Sequence, residues 1–290
     1  MKIGADVLEA KATVALETTL VAHGFPPGEG VEVGLAAEQA VRDAGAVPAT
    51  IGVLNGEIRV GLTRDELARF DGEARKVGPR DLAAAAAQGV VGATTVGGTL
   101  AVCLNANIFV MATGGLGGVH RGWTERPDVS ADLLQLARTP CVVVCSGVKS
   151  LLDVPATAEL LESLGVPVLG WRTDDLPLFY TAHGGPPVSA RVETAEEVAE
   201  IANTHWDDLH AGGILLARPP DESLDDIEPL IEDALRAAVA EGVRGQAVTP
   251  FVLSFLHRRS EGRTLRANRD LVLANAGLAG EVAVALRDRA

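Results

Sequence analysis

The chain has 290 residues, of which 47% are hydrophobic and only 3% aromatic, and its formal net charge is −14. A chain of this length and apolar content can bury a substantial core, and its few aromatic residues are untypical of an all-β sandwich. The negative charge argues against a nucleic-acid partner, because phosphate backbones are bound by basic patches. An anionic small molecule would need local cationic groups or a metal ion to offset this charge.

The predicted elements alternate between short apolar runs and longer helical patterns. This alternation predicts an α/β fold with a largely parallel sheet covered by helices on both faces. We predict a single domain over residues 1–290, and the loop Thr181–Ser189 is the best candidate for a break. In chain order, the elements are the strand Thr13–Leu16, the helix Val31–Ala44, the strand Thr50–Leu54, the helix Arg64–Phe70, the strand Ile108–Ala112, the helix Ala131–Arg138, the strand Cys141–Cys145, the helix Ala156–Leu164, the strand Val166–Leu169, the helix Thr194–Ala202, the strand Gly213–Leu216, and the helices Leu224–Glu241 and Leu271–Leu286.

The sequence gives little indication of a membrane segment, a disulfide or a cysteine-bound metal. It contains no run of about 18 uninterrupted apolar residues, which a membrane-spanning helix needs, and its first residues form no apolar signal core. We therefore expect a cytoplasmic protein without a membrane partner. Cys103, Cys141 and Cys145 lie in apolar runs, which favours buried free thiols over a disulfide or a zinc site.

Three predicted strands run directly into polar or glycine-rich segments. Glu17–Thr19 follows the first strand, Thr113–His120 follows the third, and Ser146–Lys149 follows the fourth. In open α/β sheets, ligands bind beyond the carboxyl ends of the strands. If these strands are parallel neighbours, a carboxylate, a glycine-rich loop and a lysine meet at one edge of the sheet.

Lysine is rare among the 25 basic residues and occurs only as Lys2, Lys11, Lys76 and Lys149. Arginine stays protonated and cannot attack a carbonyl carbon, whereas a desolvated lysine can. Lys76 and Lys149 lie between apolar or glycine neighbours, where burial favours the uncharged amine. Lys149 is therefore the candidate nucleophile; the alternative for both residues is a solvated loop lysine.

Glu17 and the glycine-rich segment each have two interpretations. Glu17 is either a general acid in a partly apolar site or a cap of a turn or helix. The segment Thr113–Gly118 fails as a dinucleotide fingerprint, because His120 stands where the third glycine belongs. Its glycines still allow backbone amides to approach an anion, and a plain tight turn is the alternative.

The segment Asp128–Asp132 precedes a predicted helix. Spacing alone favours capping, with Asp128 or Ser130 accepting free backbone amides and Asp132 complementing the helix dipole. The alternative is a hard divalent cation at one carboxylate, close to a bound phosphate. His120 is either a phosphate donor or a satisfied loop histidine, and the sequence does not separate these roles.

Taken together, these segments resemble the pseudouridine-5'-phosphate glycosidase family, also called the indigoidine synthase A family. Weaker similarity continues through Leu164–Gly170, Thr249–Leu253 and Asn268–Ala276. The resemblance therefore extends over nearly the whole chain, and the part from Ala112 to Lys149 is the most specific. The segments that carry it are Ala15–Gly24, Gly45–Ile51, Lys76–Leu82, Gly92–Val96, Ala112–Gly122, Asp128–Leu133 and Val143–Leu152.

The resemblance implies reversible cleavage of pseudouridine 5'-phosphate to uracil and ribose 5-phosphate, with a divalent cation, Mn²⁺ or another such as Mg²⁺. Glu17 would protonate the ribose ring oxygen, and Lys149 would form an imine with the ring-opened sugar that accepts electrons as uracil leaves. Asp128 would hold the metal, largely through water. The implied substrate contacts are Lys76, Val96, Thr113, His120, Ser130, Ala131, Asp132 and Asn275.

The resemblance also implies a three-layer α/β/α sandwich and a homotrimer. The sequence departs from the family pattern at Gly78 and Pro79, at residues 217–220 and in the loop Ala182–Pro187. These departures bear on substrate contacts and specificity. They leave two alternatives open: a Schiff-base lyase or aldolase acting on another pentose phosphate, and a non-catalytic phosphosugar-binding protein.

Overall fold

A computed structural model describes residues 1–26 and 28–289 of the chain. Eleven strands in these residues form one sheet, with the order β1-β4-β3-β2-β7-β8-β11-β9-β10 and with β5 and β6 pairing beside β3. The pairing is parallel except where β3 meets β4 and β6. The strands are β1 (Lys2–Ile3), β2 (Thr13–Glu17), β3 (Val47–Leu54), β4 (Glu57–Val60), β5 (Arg75–Val77), β6 (Gly92–Thr94), β7 (Val110–Ala112), β8 (Val142–Cys145), β9 (Val168–Trp171), β10 (Ala190–Val192) and β11 (Ile214–Ala217).

Helices cover both faces of this sheet, so the predicted three-layer α/β/α sandwich with a largely parallel central sheet is confirmed. None of the described helices is long and apolar enough to cross a lipid bilayer. The helices are α1 (Ala5–Glu9), α2 (Thr19–His23), α3 (Glu29–Asp43), α4 (Arg64–Leu67), α5 (Leu82–Ala87), α6 (Val96–Ala106), α7 (Ala131–Leu136), α8 (Val154–Ser163), α9 (Ala195–Asn203), α10 (Glu228–Ala240), α11 (Val248–Arg259) and α12 (Arg263–Arg289).

Each of the predicted strands and helices is present, with ends displaced by a few residues in most cases. The largest difference is at α12, which begins at Arg263, whereas the predicted helix begins at Leu271. The strands absent from the prediction have two to four residues. They are too short to give a period-two pattern.

The core of the molecule lies on both sides of the central strands. Val142–Cys145 of β8 and Ile214–Ala217 of β11 are fully buried, as expected for parallel strands covered on both faces. Cys103, Cys141 and Cys145 are free and buried, which confirms the predicted thiols.

The sheet order positions the polar segments that follow β2, β7 and β8. β7 pairs in parallel with both β2 and β8, so the carboxyl ends of all three strands lie at the same edge. The predicted meeting of a carboxylate, a glycine-rich loop and a lysine is confirmed.

Candidate active site

A cavity of about 490 Å³ opens at this edge of the sheet. Residues from the strand ends, from α6 and α7, and from the segment 245–268 form its walls. The cavity collects all but one of the predicted site residues. Its lining includes Glu17, Lys76, Val96, Thr113, His120, Asp128, Ser130, Ala131, Asp132 and Lys149.

Glu17 is the last residue of β2 and is only 7% exposed. Thr113, directly after β7, donates a hydrogen bond of 2.5 Å from Oγ1 to Glu17 Oε1. Burial raises the pKa of Glu17, and the charge of Lys149 and this hydrogen bond oppose the rise. Glu17 therefore holds its proton at a higher pH than an ordinary glutamate, as a general acid requires.

Lys149 lies on the turn after β8, and its side chain is half-buried. The loops after β7 and β8 run side by side: Leu116 bridges to Val148, and the Lys149 amide donates to the Leu116 carbonyl at 3.1 Å. Arg121 holds the next residues, since its guanidinium donates to the Ser150 carbonyl at 2.8 Å. The backbone of Lys149 is thus fixed, and the residue lines the cavity.

Lys76, the middle residue of β5, contributes a second amine to the cavity. Burial lowers its pKa, the charge of Lys149 lowers it further, and Asp132 and Glu17 oppose this change. The two lysines and two carboxylates therefore act on each other electrostatically. The two lysines supply the cationic groups that an anionic substrate needs in a chain of net charge −14.

Asp132 lies in the first turn of α7, where its charge complements the helix dipole as predicted. Its carboxylate accepts hydrogen bonds from the Gly97 amide at 2.7 Å and from the Gly117 amide at 3.1 Å. It therefore joins the start of α6 to the glycine-rich loop. Ser130 caps α7, as predicted, by accepting a hydrogen bond from the Asp132 amide at 3.2 Å.

His120 and Asp128 face each other across a narrow hairpin. The His120 amide donates to the Asp128 carbonyl at 3.0 Å, and Val119 bridges to Val129 next to it. Burial lowers the pKa of the His120 imidazole, and the Asp128 carboxylate opposes this change. Both side chains line the cavity.

The described residues contain no group of three metal-ligating side chains. Asp128 instead offers one carboxylate beside the cavity, with His120 as its neighbour. This donor set fits a hard divalent cation that keeps most of its water ligands and takes one or two carboxylates from the protein.

Asn275 is the predicted site residue that does not line the cavity. It is fully buried on α12, and its amide donates to the Thr113 carbonyl at 2.9 Å and to Ser146 Oγ at 3.1 Å. Asn275 therefore ties the loops after β7 and β8 together from behind the cavity wall. The structure thus shows a supporting role for Asn275, and the substrate contact stays a prediction.

Several lining residues were missed by the sequence analysis. His23 lines the cavity from α2, and its Nε2 lies 2.9 Å from the Ala74 carbonyl oxygen. Phe179 comes from a loop, while Leu253 and Asn268 come from α11 and α12. Glu17 and Lys149 were predicted because they follow predicted strands. The missed residues lie far from strand ends, so this signal does not find them.

The sequence of residues 2–285 matches the family described as "Indigoidine synthase A like protein". The chain belongs to the indigoidine synthase A family. Its relatives include proteins named pseudouridine-5'-phosphate glycosidase from Streptomyces griseus and from Caldanaerobacter subterraneus. The first is 48% identical, with 99% of this chain and 92% of the relative covered. The second is 46% identical, with 96% and 92% covered.

Two solved structures of similar proteins share the fold of this family member. One is the prealnumycin C-glycosynthase AlnA in complex with ribulose 5-phosphate, with a TM-score of 0.89 and 39% identity over 99% of this chain and 97% of AlnA. The other is an indigoidine synthase A-like protein from Thermotoga maritima. It has a TM-score of 0.87 and 39% identity, with 95% of this chain and 93% of that protein covered.

Proposed function

We propose that this protein is a pseudouridine-5'-phosphate glycosidase, which reversibly cleaves pseudouridine 5'-phosphate to uracil and ribose 5-phosphate. The observation that carries the proposal is the shared cavity of the buried Glu17 carboxyl and the Lys149 amine. The names of the relatives support this activity. The bound ribulose 5-phosphate of AlnA supports a pentose phosphate as the ligand.

The bond that breaks joins two carbon atoms, so glycoside hydrolysis with an oxygen leaving group does not describe the reaction. The Lys149 amine attacks the anomeric carbon, and Glu17 gives its proton to the ring oxygen as the ring opens. The attacking nitrogen then loses a proton, and its lone pair forms an imine as the carbon–carbon bond to uracil breaks and the uracil carbon takes up that proton. Water hydrolyses the imine and releases ribose 5-phosphate.

The other lining residues bind and orient the sugar phosphate in this proposal. Lys76 contributes positive charge, and Val96 and the segment 130–132 also line the cavity. Thr113 positions the Glu17 carboxyl through its hydrogen bond, and His120 donates to an anionic oxygen. Lys149 requires this orientation, because attack is fast only when the reacting atoms are held close and aligned.

The proposal includes a divalent cation, Mn²⁺ or another such as Mg²⁺, held by Asp128 mainly through water. The position of the Asp128 carboxylate at the cavity supports this assignment. The cation would offset the negative charge of the substrate phosphate next to the protein's own carboxylates.

We also propose that the protein forms a homotrimer, that it is cytoplasmic and that residues 1–290 form a single domain. The family resemblance supports the trimer. Exposed apolar side chains such as Leu104, Phe109 and Leu134 offer surface that a subunit contact would cover. Light scattering on the purified protein measures the number of subunits, and a monomer would refute this part.

A Schiff-base lyase acting on another pentose phosphate is the second candidate. AlnA favours it, because a C-glycosynthase 39% identical to this chain binds ribulose 5-phosphate. The departure at Gly78 and Pro79 favours it too, since both residues line the cavity. Comparing the cleavage of pseudouridine 5'-phosphate with that of other C-nucleotides separates the two candidates.

The deciding experiment mixes the purified protein, Mn²⁺, uracil and ribose 5-phosphate and follows the ultraviolet absorbance as the carbon–carbon bond forms. Borohydride added with ribose 5-phosphate alone should trap a covalent adduct on Lys149. Lys149→Ala should form neither product nor adduct while remaining folded. Normal turnover by this variant would refute the mechanism, and an inactive, adduct-free wild-type protein would leave the non-catalytic binding role.

A further inference from the structure

Phe179 has a backbone conformation that is rare for a bulky residue. Its φ is +69°, in the left-handed region, where a side chain with a Cβ atom crowds the backbone. Such strained residues concentrate at functional sites, because only the surrounding structure keeps them in place. Phe179 also lines the cavity.

Contacts with the turn that carries Lys149 hold this conformation. The Phe179 amide donates to the Ser146 carbonyl at 3.0 Å, and Gly147 bridges to Leu178. The fit is so close that a Cβ atom at Gly147 would lie 1.9 Å from the carbonyl oxygen of Pro177. The segment 177–179 therefore lies directly on the backbone two residues before Lys149.

The ring of Phe179 and the side chain of Lys149 both pack over Gly115. A Cβ atom at Gly115 would lie 2.6 Å from Phe179 Cδ2 and 3.3 Å from Lys149 Cγ. The ring is 3% exposed, and the ring of Tyr180 packs against it edge to face, with the centroids 4.6 Å apart. The ring is thus a fixed apolar wall next to the stem of the lysine.

We propose that Phe179 is a positioning residue that restricts the Lys149 side chain to rotamers that point its amine into the cavity. This inference rests on the proposed function, in which that amine is the nucleophile. A free lysine side chain samples many rotamers, and ordering it costs conformational entropy. The Phe179 ring already restricts the Lys149 rotamers in the folded protein, so the amine is aligned before substrate binds.

The test compares Phe179→Ala and Phe179→Leu with Phe70→Leu. Phe70 is a matched control, because it is a fully buried phenylalanine that packs with Leu62 and Leu67 in a separate apolar cluster and does not line the cavity. We expect Phe179→Ala to lower kcat about 10- to 100-fold, the effect of misaligning a reacting group, with little change in KM. The leucine variant keeps an apolar wall and should recover part of the rate. Phe70→Leu should lose thermal stability alone.

A fourth variant, Phe179→Gly, separates positioning from stability. Glycine relieves the left-handed strain, so this variant should be more stable than Phe179→Ala, yet it should be equally slow because it also lacks the ring. Recovery of activity together with stability would mean that the ring only supports folding, which would overturn the proposal.

Borohydride trapping with ribose 5-phosphate separates failure of the proposed function from failure of the positioning role of Phe179. A wild-type protein that forms no adduct on Lys149 refutes the proposed function, and the positioning role with it. A wild-type protein that forms the adduct while Phe179→Ala forms it at the same rate refutes only the positioning role. The proposal requires slower adduct formation in Phe179→Ala at equal folded concentration.

Discussion

Gly147 is the point at which a small perturbation should act most strongly on the site. Its φ is +81°, and a Cβ atom there would meet the carbonyl oxygen of Pro177 at 1.9 Å. Gly165 has a similar φ of +70°, but a Cβ atom there would have no neighbour within 4 Å. The two positions therefore separate the cost of the left-handed backbone from the cost of the collision.

We expect Gly165→Ala to lower the free energy of unfolding by about 1–2 kcal/mol, the cost of a left-handed residue with a Cβ atom. Gly147→Ala carries the same cost and must also push the backbone of the segment 177–179 away. Its total loss should exceed about 4 kcal/mol, the range in which single substitutions are exceptional. Its folded fraction should also react more slowly, because the shift lies two residues before Lys149.

Urea unfolding of both variants measures these free energies, provided that each unfolds in one transition. Borohydride trapping, scaled to the folded fraction, measures the reactivity of Lys149. Equal losses of stability in the two alanine variants would refute the reasoning, because they would mean that the contact with Pro177 costs nothing to displace.

Three further predictions concern single side chains of the site. Glu17→Gln should lower kcat about 10²- to 10⁴-fold. Because burial raises the pKa of Glu17 in the folded state, the contribution of this residue to the free energy of unfolding should be greatest below the ordinary glutamate pKa of about 4.3. It should fall as pH rises through the folded pKa, and urea unfolding of the glutamine variant should lack this fall. Asp128→Asn should raise the Mn²⁺ concentration for half-maximal activity about 10- to 100-fold, and an unchanged requirement after chelation and titration would contradict the metal assignment. Asn275→Ala should lower the free energy of unfolding by about 1–3 kcal/mol, because buried groups on Thr113 and Ser146 lose their partner. A raised KM with unchanged stability would instead indicate that Asn275 contacts the substrate.

The fold was largely predictable because its central strands are apolar runs between turn residues. The short edge strands were not, since β1 and β5 have two and three residues and depend on pairing with neighbours. α6 was also missed: it contains two adjacent glycines, Gly97 and Gly98, and most of its residues are buried. Its start is fixed by Thr95 and Asp132, and the second of these contacts is not local.

The site was predictable where chemistry follows a strand. Glu17 is the last residue of a buried strand, Thr113 and Lys149 follow two others, and the sheet brings these strand ends together. The exact partners were not predictable, because Asp132 and Asn275 use their polar atoms for backbone groups distant in sequence. Phe179 was missed because its left-handed backbone is imposed by the Ser146 turn, and its own sequence gives no sign of it.

The amide of Asn275 reaches Ser146 across 129 residues of chain. During synthesis, the loops after β7 and β8 must therefore wait for α12 before their shared tie can form. A nascent chain that has completed the loop after β8 already contains Glu17 and Lys149 but lacks this tie. The loops that surround Lys149 are consequently joined late, after nearly all of the protein has been made.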